Sequence, residues 1–121
     1  MTGAPSISDV DVRTARQQAA DEGAILLDVR EPDEFAAIRA EGAVLVPMSR
    51  FVERMAELPR DRPILVICAT GNRSRAVAGH LLRNGWTDVV NVAGGTTAWA
   101  NAGLPVRRGR PEPGEGELST D

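Results

Sequence analysis

The single cysteine of the chain, Cys68, closes the apolar run Ile64-Leu65-Val66-Ile67 and is followed by Ala69-Thr70-Gly71-Asn72-Arg73-Ser74. A thiol reacts as its thiolate, and ionisation is favoured at a helix N-terminus and beside arginine. Both aids stand within six residues of Cys68. Residues 69–72 are small or flexible up to Arg73, and a helix opening at Ser74 would aim its free N–H groups back into the turn. Such a ring of donors suits a negative centre. A merely structural thiol at the end of a buried strand would require neither Gly71 nor Arg73. The pattern therefore points to nucleophilic chemistry at sulfur.

That chemistry has no histidine to lean on. His80, the one histidine, falls inside the following helix, where a packing or surface role is expected, so a Cys-His dyad enzyme is disfavoured. One histidine and one cysteine make no readable metal site, and nothing suggests an organic cofactor. The turn lacks the Gly-Lys-Ser/Thr of a Walker phosphate loop. It also differs from the cysteine phosphatase turn, which has five residues between cysteine and arginine where this chain has four.

Five short apolar, partly β-branched runs, at 7–10, 24–29, 43–46, 63–68 and 88–92, read as strands. Helical segments alternate with them at 12–22, 50–58, 74–84 and 96–101, with a short helical turn at 32–37. Asp11 and Ser49 stand at N-cap positions, and Gly23 and Gly85 stand where helices end. Pro32 with Asp33 and Glu34 fits a first helical turn, where the missing N–H is harmless and negative charge meets the dipole. Strands joined by helices run parallel, and ILVI, apolar throughout, fits a central strand covered on both faces. The expected fold is α/β, a parallel sheet of about five strands flanked by helices on both faces. Cys68 then lies at the carboxyl edge of the sheet, where such sheets bind ligands.

At 121 residues the chain is the size of one domain, and 42% hydrophobic content is enough to close one core. The expected boundaries are 6–109 for the domain and 110–121 for a disordered acidic tail rich in Pro, Gly and Glu. A net charge of -3 without a basic, aromatic-interleaved patch argues against nucleic acid. Apolar runs far shorter than about 20 residues argue against a membrane span. The opening MTGAPSISDVDV has no basic start or apolar core, so no secretory signal is read, and one cysteine cannot form an internal disulfide. A reducing cytoplasm is the expected setting.

Three stretches in order resemble the rhodanese family of single-domain sulfurtransferases over about residues 7–107: LLDVREPDEF at 26–35, CATGNRS at 68–74 and VAGGTTAW at 92–99. The resemblance implies a rhodanese-like fold and a mechanism. Cys68 would take sulfane sulfur from a donor such as thiosulfate as a persulfide cradled by the backbone of Ala69, Thr70, Gly71, Asn72 and Arg73. It would then pass that sulfur to cyanide, a thiol or a sulfur-carrier protein. A persulfide carries its charge one bond beyond the thiolate, and a loop one residue shorter than the phosphatase cradle suits it.

The same resemblance has Asp28 orienting the loop and Arg30 adding to the anion field, although a structural ion pair fits both residues as well. Arg73 would bind an anionic donor, Ser74 would begin the helix, and Arg75 could pair with Asp28. Phe35, Trp86 and Trp99 are core candidates, and Gly94 and Gly95 serve a turn of unusual backbone angles. The family's usual Gly-His-Ile is replaced at Ile38-Arg39-Ala40, where a local change of conformation is expected. The competing readings are a non-catalytic rhodanese-like binding or regulatory module, and a cysteine phosphatase or arsenate reductase.

Overall fold

A computed structural model describes residues 6–118 and resolves the expected alternation into a five-stranded parallel sheet. The chain enters through β1 (Asp9–Val10), α1 (Val12–Asp21), β2 (Ile25–Asp28) and α2 (Pro32–Ala37). It continues through β3 (Arg39–Ala40), β4 (Val44–Leu45), a 3-10 turn (Met48–Arg50), α3 (Phe51–Arg54) and a second 3-10 turn (Met55–Glu57). It ends with β5 (Ile64–Ile67), α4 (Asn72–Arg83), β6 (Val89–Val92), α5 (Gly95–Asn101) and β7 (Val106–Arg107). The sheet order β1-β6-β5-β2-β4 puts β5 at the centre. From β2 the chain moves outward to β4, whereas from β5 it moves the other way to β6. The crevice of this fold therefore opens between the carboxyl ends of β2 and β5.

All four residues of both β2 and β5 are buried, because helices cover both faces of the sheet. Alternation along β5 divides the core. Ile64, Val66 and Cys68 join one cluster with Val77, Ala78 and Leu81 of α4, while Leu65 and Ile67 join the other with Val12, Phe35 and Trp99. Cys68 thus faces the helix that follows it. Trp86 and Trp99 are core residues with their ring N–H groups on the carbonyls of Pro59 and Pro105.

Four details differ from the expectations. Helix α4 begins at Asn72, two residues before Ser74, because Gly71 adopts φ 105° and turns the chain into the helix early. Ser49 caps no helix: its hydroxyl and N–H both donate to Glu31, and residues 48–57 form 3-10, α and 3-10 turns in succession. Arg75 pairs with Asp9 across β1, since Asp28 is already enclosed by Arg30. A small antiparallel pair, β3 with β7, comes from residues with no strand pattern of their own.

The segment after Gly109, expected to be disordered, folds back on the domain as far as it is described; Ser119, Thr120 and Asp121 lie outside the described residues. The reason is Arg39, in the stretch that departs from the family pattern. Its guanidinium is buried, donates to the carbonyls of Phe35 and Gly109, and forms two bonds to Glu115, at 2.5 and 3.0 Å. Leu45 N–H bonds Gly116, and Leu118 packs on the core. A buried guanidinium demands a carboxylate, and the tail supplies it.

Glu115→Gln should therefore cost about 1–3 kcal/mol, read as a thermal midpoint lower by roughly 5–10 °C. Arg39 and the N–H of Glu112 hold the Glu115 carboxyl at about 2, against an ordinary 4.5. Its contribution is complete above about pH 4.5 and is lost as pH falls through about 2, so the gap between wild type and variant should close over that window.

Candidate active site

The turn between β6 and α5 is tied to the backbone that carries Cys68. The Gly94-Gly95 turn between β6 and α5 takes φ 78° and 60°, angles at which only glycine is unstrained. A side chain on Gly95 would bring its Cβ 2.4 Å from the Cys68 carbonyl oxygen and 2.6 Å from that of Ala69. That close approach lets Thr96 hold the Cys68 carbonyl through its N–H at 2.8 Å and its hydroxyl at 3.1 Å, while Thr97 N–H holds Ala69 at 3.0 Å. With both carbonyls turned away, the N–H side of the loop faces inward.

Cys68 itself is 1% exposed. Its Sγ accepts from Gly71 N–H at 3.1 Å and lies 3.2 Å from Ser74 Oγ in the first turn of α4. Burial pushes the thiol up, but the Ser74 hydroxyl and the backbone N–H groups of Ser74, Gly71 and Thr70 outweigh it. The result is a thiol below its ordinary value. His80 takes no part; its ring sits edge-on to Phe51 at 6.4 Å.

Asn91 is the residue the sequence reading passed over. It lies in β6, is 2% exposed, and its Nδ2 donates to Asp9 at 2.9 Å and to the Gly71 carbonyl at 3.3 Å. Its Oδ1 must then face Ser74 Oγ, at 2.5 Å. Ser74 has one hydroxyl proton and two acceptors. With a thiol, S–H can donate to Ser74 and Ser74 to Asn91; with a thiolate, the charge draws the hydroxyl proton to sulfur. A buried asparagine inside the apolar strand VVNV was the available signal, since such a residue needs partners.

Asp28 and Arg30 are brought together at the end of β2, both buried, with Arg30 Nε and Nη2 on the Asp28 carboxylate at 2.8–3.2 Å. Arg30 also reaches the carbonyls of Ile38, at 2.7 Å, and Glu34, at 3.4 Å, and so ties α2 to the strand end. Arg73 extends to Glu34 of α2 through two bonds of 2.8 Å. Chiefly through Arg73, the Glu34 carboxyl falls to about 2. Thr70 and Asn72 are exposed at the loop mouth, Ala69 is half-buried and Gly71 is buried.

The family model for the rhodanese-like domain matches residues 11–102. The chain belongs to the rhodanese family. A sulfurtransferase of Allochromatium vinosum is 36% identical over 101 residues, covering 83% of this chain and 94% of that one. The thiosulfate sulfurtransferase GlpE of Vibrio cholerae is 33% identical over 97 residues, covering 80% and 92%. Among solved structures, a rhodanese-related protein from Thermoplasma volcanium superposes with a TM-score of 0.76 at 32% identity, over 83% of this chain and 97% of its own. The chain is a rhodanese-type sulfurtransferase, and its sheet and helices are those of the rhodanese-like domain. No helix among the described residues is long and apolar enough to cross a membrane.

In this rhodanese site Ser74→Ala removes the hydroxyl from sulfur and should raise the Cys68 thiol. The rate of Cys68 alkylation by iodoacetamide at pH 7 should fall about tenfold and recover at alkaline pH. An unchanged pH profile would assign Ser74 to packing alone.

Proposed function

We propose that the rhodanese domain carries sulfane sulfur on Cys68, from a donor such as thiosulfate to an external nucleophile. The observation that supports this most directly is the set of donors converging on Cys68 Sγ with no general base among them. Thiolate attack on the outer sulfur of thiosulfate forms the Cys68 S–S bond, breaks the S–S bond of the donor and expels sulfite with its electron pair. The persulfide anion then lies one bond further out, toward the N–H side of the loop at Ala69, Thr70, Gly71, Asn72 and Arg73. A nucleophile attacks that outer sulfur and restores the thiolate, and cyanide leaves as thiocyanate. No cofactor enters either half.

The acceptor is external because the chain has no second cysteine to resolve the persulfide. Cyanide, a small thiol or a sulfur-carrier protein all meet the requirement, and a reducing compartment such as the cytoplasm keeps the thiol available. Asp28 and Arg30 act as positioning residues. Their buried pair fixes the end of β2 and the helix that presents Glu34 to the loop. Arg73 brings the one guanidinium of the loop to the donor.

Incubation with thiosulfate should add the mass of one sulfur atom to the intact protein, cyanide should remove it, and Cys68→Ser should gain nothing while keeping its fold. Sulfur gained and released by the serine variant would sink the mechanism. Arg73→Ala should raise the KM for thiosulfate about three- to tenfold, by loss of a screened charge. Its thermal midpoint should move little, because a half-exposed ion pair contributes at most about 1 kcal/mol.

A further inference from the structure

The arginines nearest the Cys68 loop do not offer free positive charge. Arg30 is enclosed by Asp28, Arg75 is paired with Asp9, and Arg73 is gripped by Glu34 through both terminal nitrogens. Glu31 and Asp33 add further carboxylates on α2 and its N-cap. The attraction left for an anion comes from backbone N–H groups and the start of α4.

The three pairs are not alike. Arg30 and Asp28 are 4% and 0% exposed, out of reach of a ligand. Arg75 and Asp9 tie α4 to β1, away from the crevice between β2 and β5. Arg73 and Glu34 belong to the loop and to the helix across the crevice, are 39% and 32% exposed, and can exchange partners with an incoming ion. Glu34 is itself fixed, since its Oε1 also accepts the N–H of Glu31 at 3.0 Å in a capping box that closes α2. It stays charged throughout the working range, with its carboxyl at about 2.

We propose that Glu34 is a specificity-determining residue that filters sulfur donors by charge, occupying Arg73 so that a dianion must compete with a built-in carboxylate. The proposal rests on the sulfur-transfer reading for its biological meaning, although not for its physics. A donor of low charge reaches Cys68 without displacing anything. A dianion such as thiosulfate must share Arg73 and also approach the Glu34 carboxylate. Glu34 thus favours low-charge organic persulfides over inorganic dianions.

Glu34→Gln isolates the charge. Glutamine at this helix position still accepts from the Glu31 N–H, so the capping box survives, while its amide turns a donor toward Arg73 Nη2 and frees that nitrogen. Sulfate serves as an unreactive dianion that protects Cys68 from iodoacetamide, a neutral reagent. Half-protection should need about three- to tenfold less sulfate in Glu34→Gln than in wild type. In the Arg73→Ala background Glu34→Gln should still lower the sulfate needed, since the unpaired carboxylate repels the ion there. The double variant should nevertheless need more sulfate than Glu34→Gln alone, because the freed guanidinium is gone. The rate of sulfur uptake from thiosulfate, followed by intact mass, should rise in parallel in Glu34→Gln. Sulfate protection that is unchanged, weaker, or absent from both proteins would overturn the proposal. Protection that shifts as expected in proteins that never gain sulfur would leave the charge filter standing and remove the sulfur-transfer reading instead.

Discussion

Thr96 bonds the carbonyl oxygen of Cys68 twice, through its N–H and through its hydroxyl, and the geometry of the loop follows from that anchor. A peptide has two polar sides, and pinning its oxygen toward α5 leaves the N–H groups of the next residues to point the other way. The pinning requires α5 to approach within van der Waals range of the loop backbone, which only a residue without Cβ permits at position 95. Gly71 completes the curl with its left-handed angle and delivers its own N–H to sulfur. The hydrogen-bond donors at Cys68 are thus a consequence of backbone orientation. They cost no reorganisation when negative charge forms on sulfur, which is how preorganised dipoles lower barriers.

Side-chain charge is organised on the opposite principle. Each arginine near the loop is matched by a carboxylate: Arg30 by Asp28 at the end of the strand it follows, Arg73 by Glu34 of α2, and Arg75 by Asp9 of β1. The last two fasten the loop to α2 and α4 to β1. The buried Arg30–Asp28 pair adds little net stability, but removing one partner would strand the other, whereas the two half-exposed pairs chiefly specify which elements meet. Binding charge and structural charge are here the same residues. Selectivity at the site is a balance between what the loop backbone attracts and what Glu34 already occupies.

The parts of this design that were legible in the sequence are those with a local signature. The apolar run at β5, the capping residue Asp11, the proline and acids opening α2 and the loop from Cys68 to Arg73 all advertise their structure within a few residues. The parts that were not legible are pairings between distant residues. Glu34 looked like a helix-dipole residue because nothing local links it to Arg73, 39 positions on. Asn91 looked like an ordinary strand residue until Ser74 and Gly71 came to it. The start of α4 was misplaced by two residues because Gly71, read as loop, is its N-cap. The acidic tail looked uncommitted because the charge it satisfies lies 76 positions away, at Arg39.

That last separation also orders the events of synthesis. Arg39 is made 76 residues before its carboxylate partner and becomes buried between α2 and the segment after Gly109. Until Glu115 emerges, the nascent domain must either leave the guanidinium in water, with β3 and β7 unpaired, or bury an uncompensated charge. The open choice has the lower free energy, so the sheet and the sulfur loop can assemble while this flank stays undocked. Docking of this flank then waits on Glu115, and a fragment ending before residue 115 leaves the Arg39 guanidinium without its carboxylate.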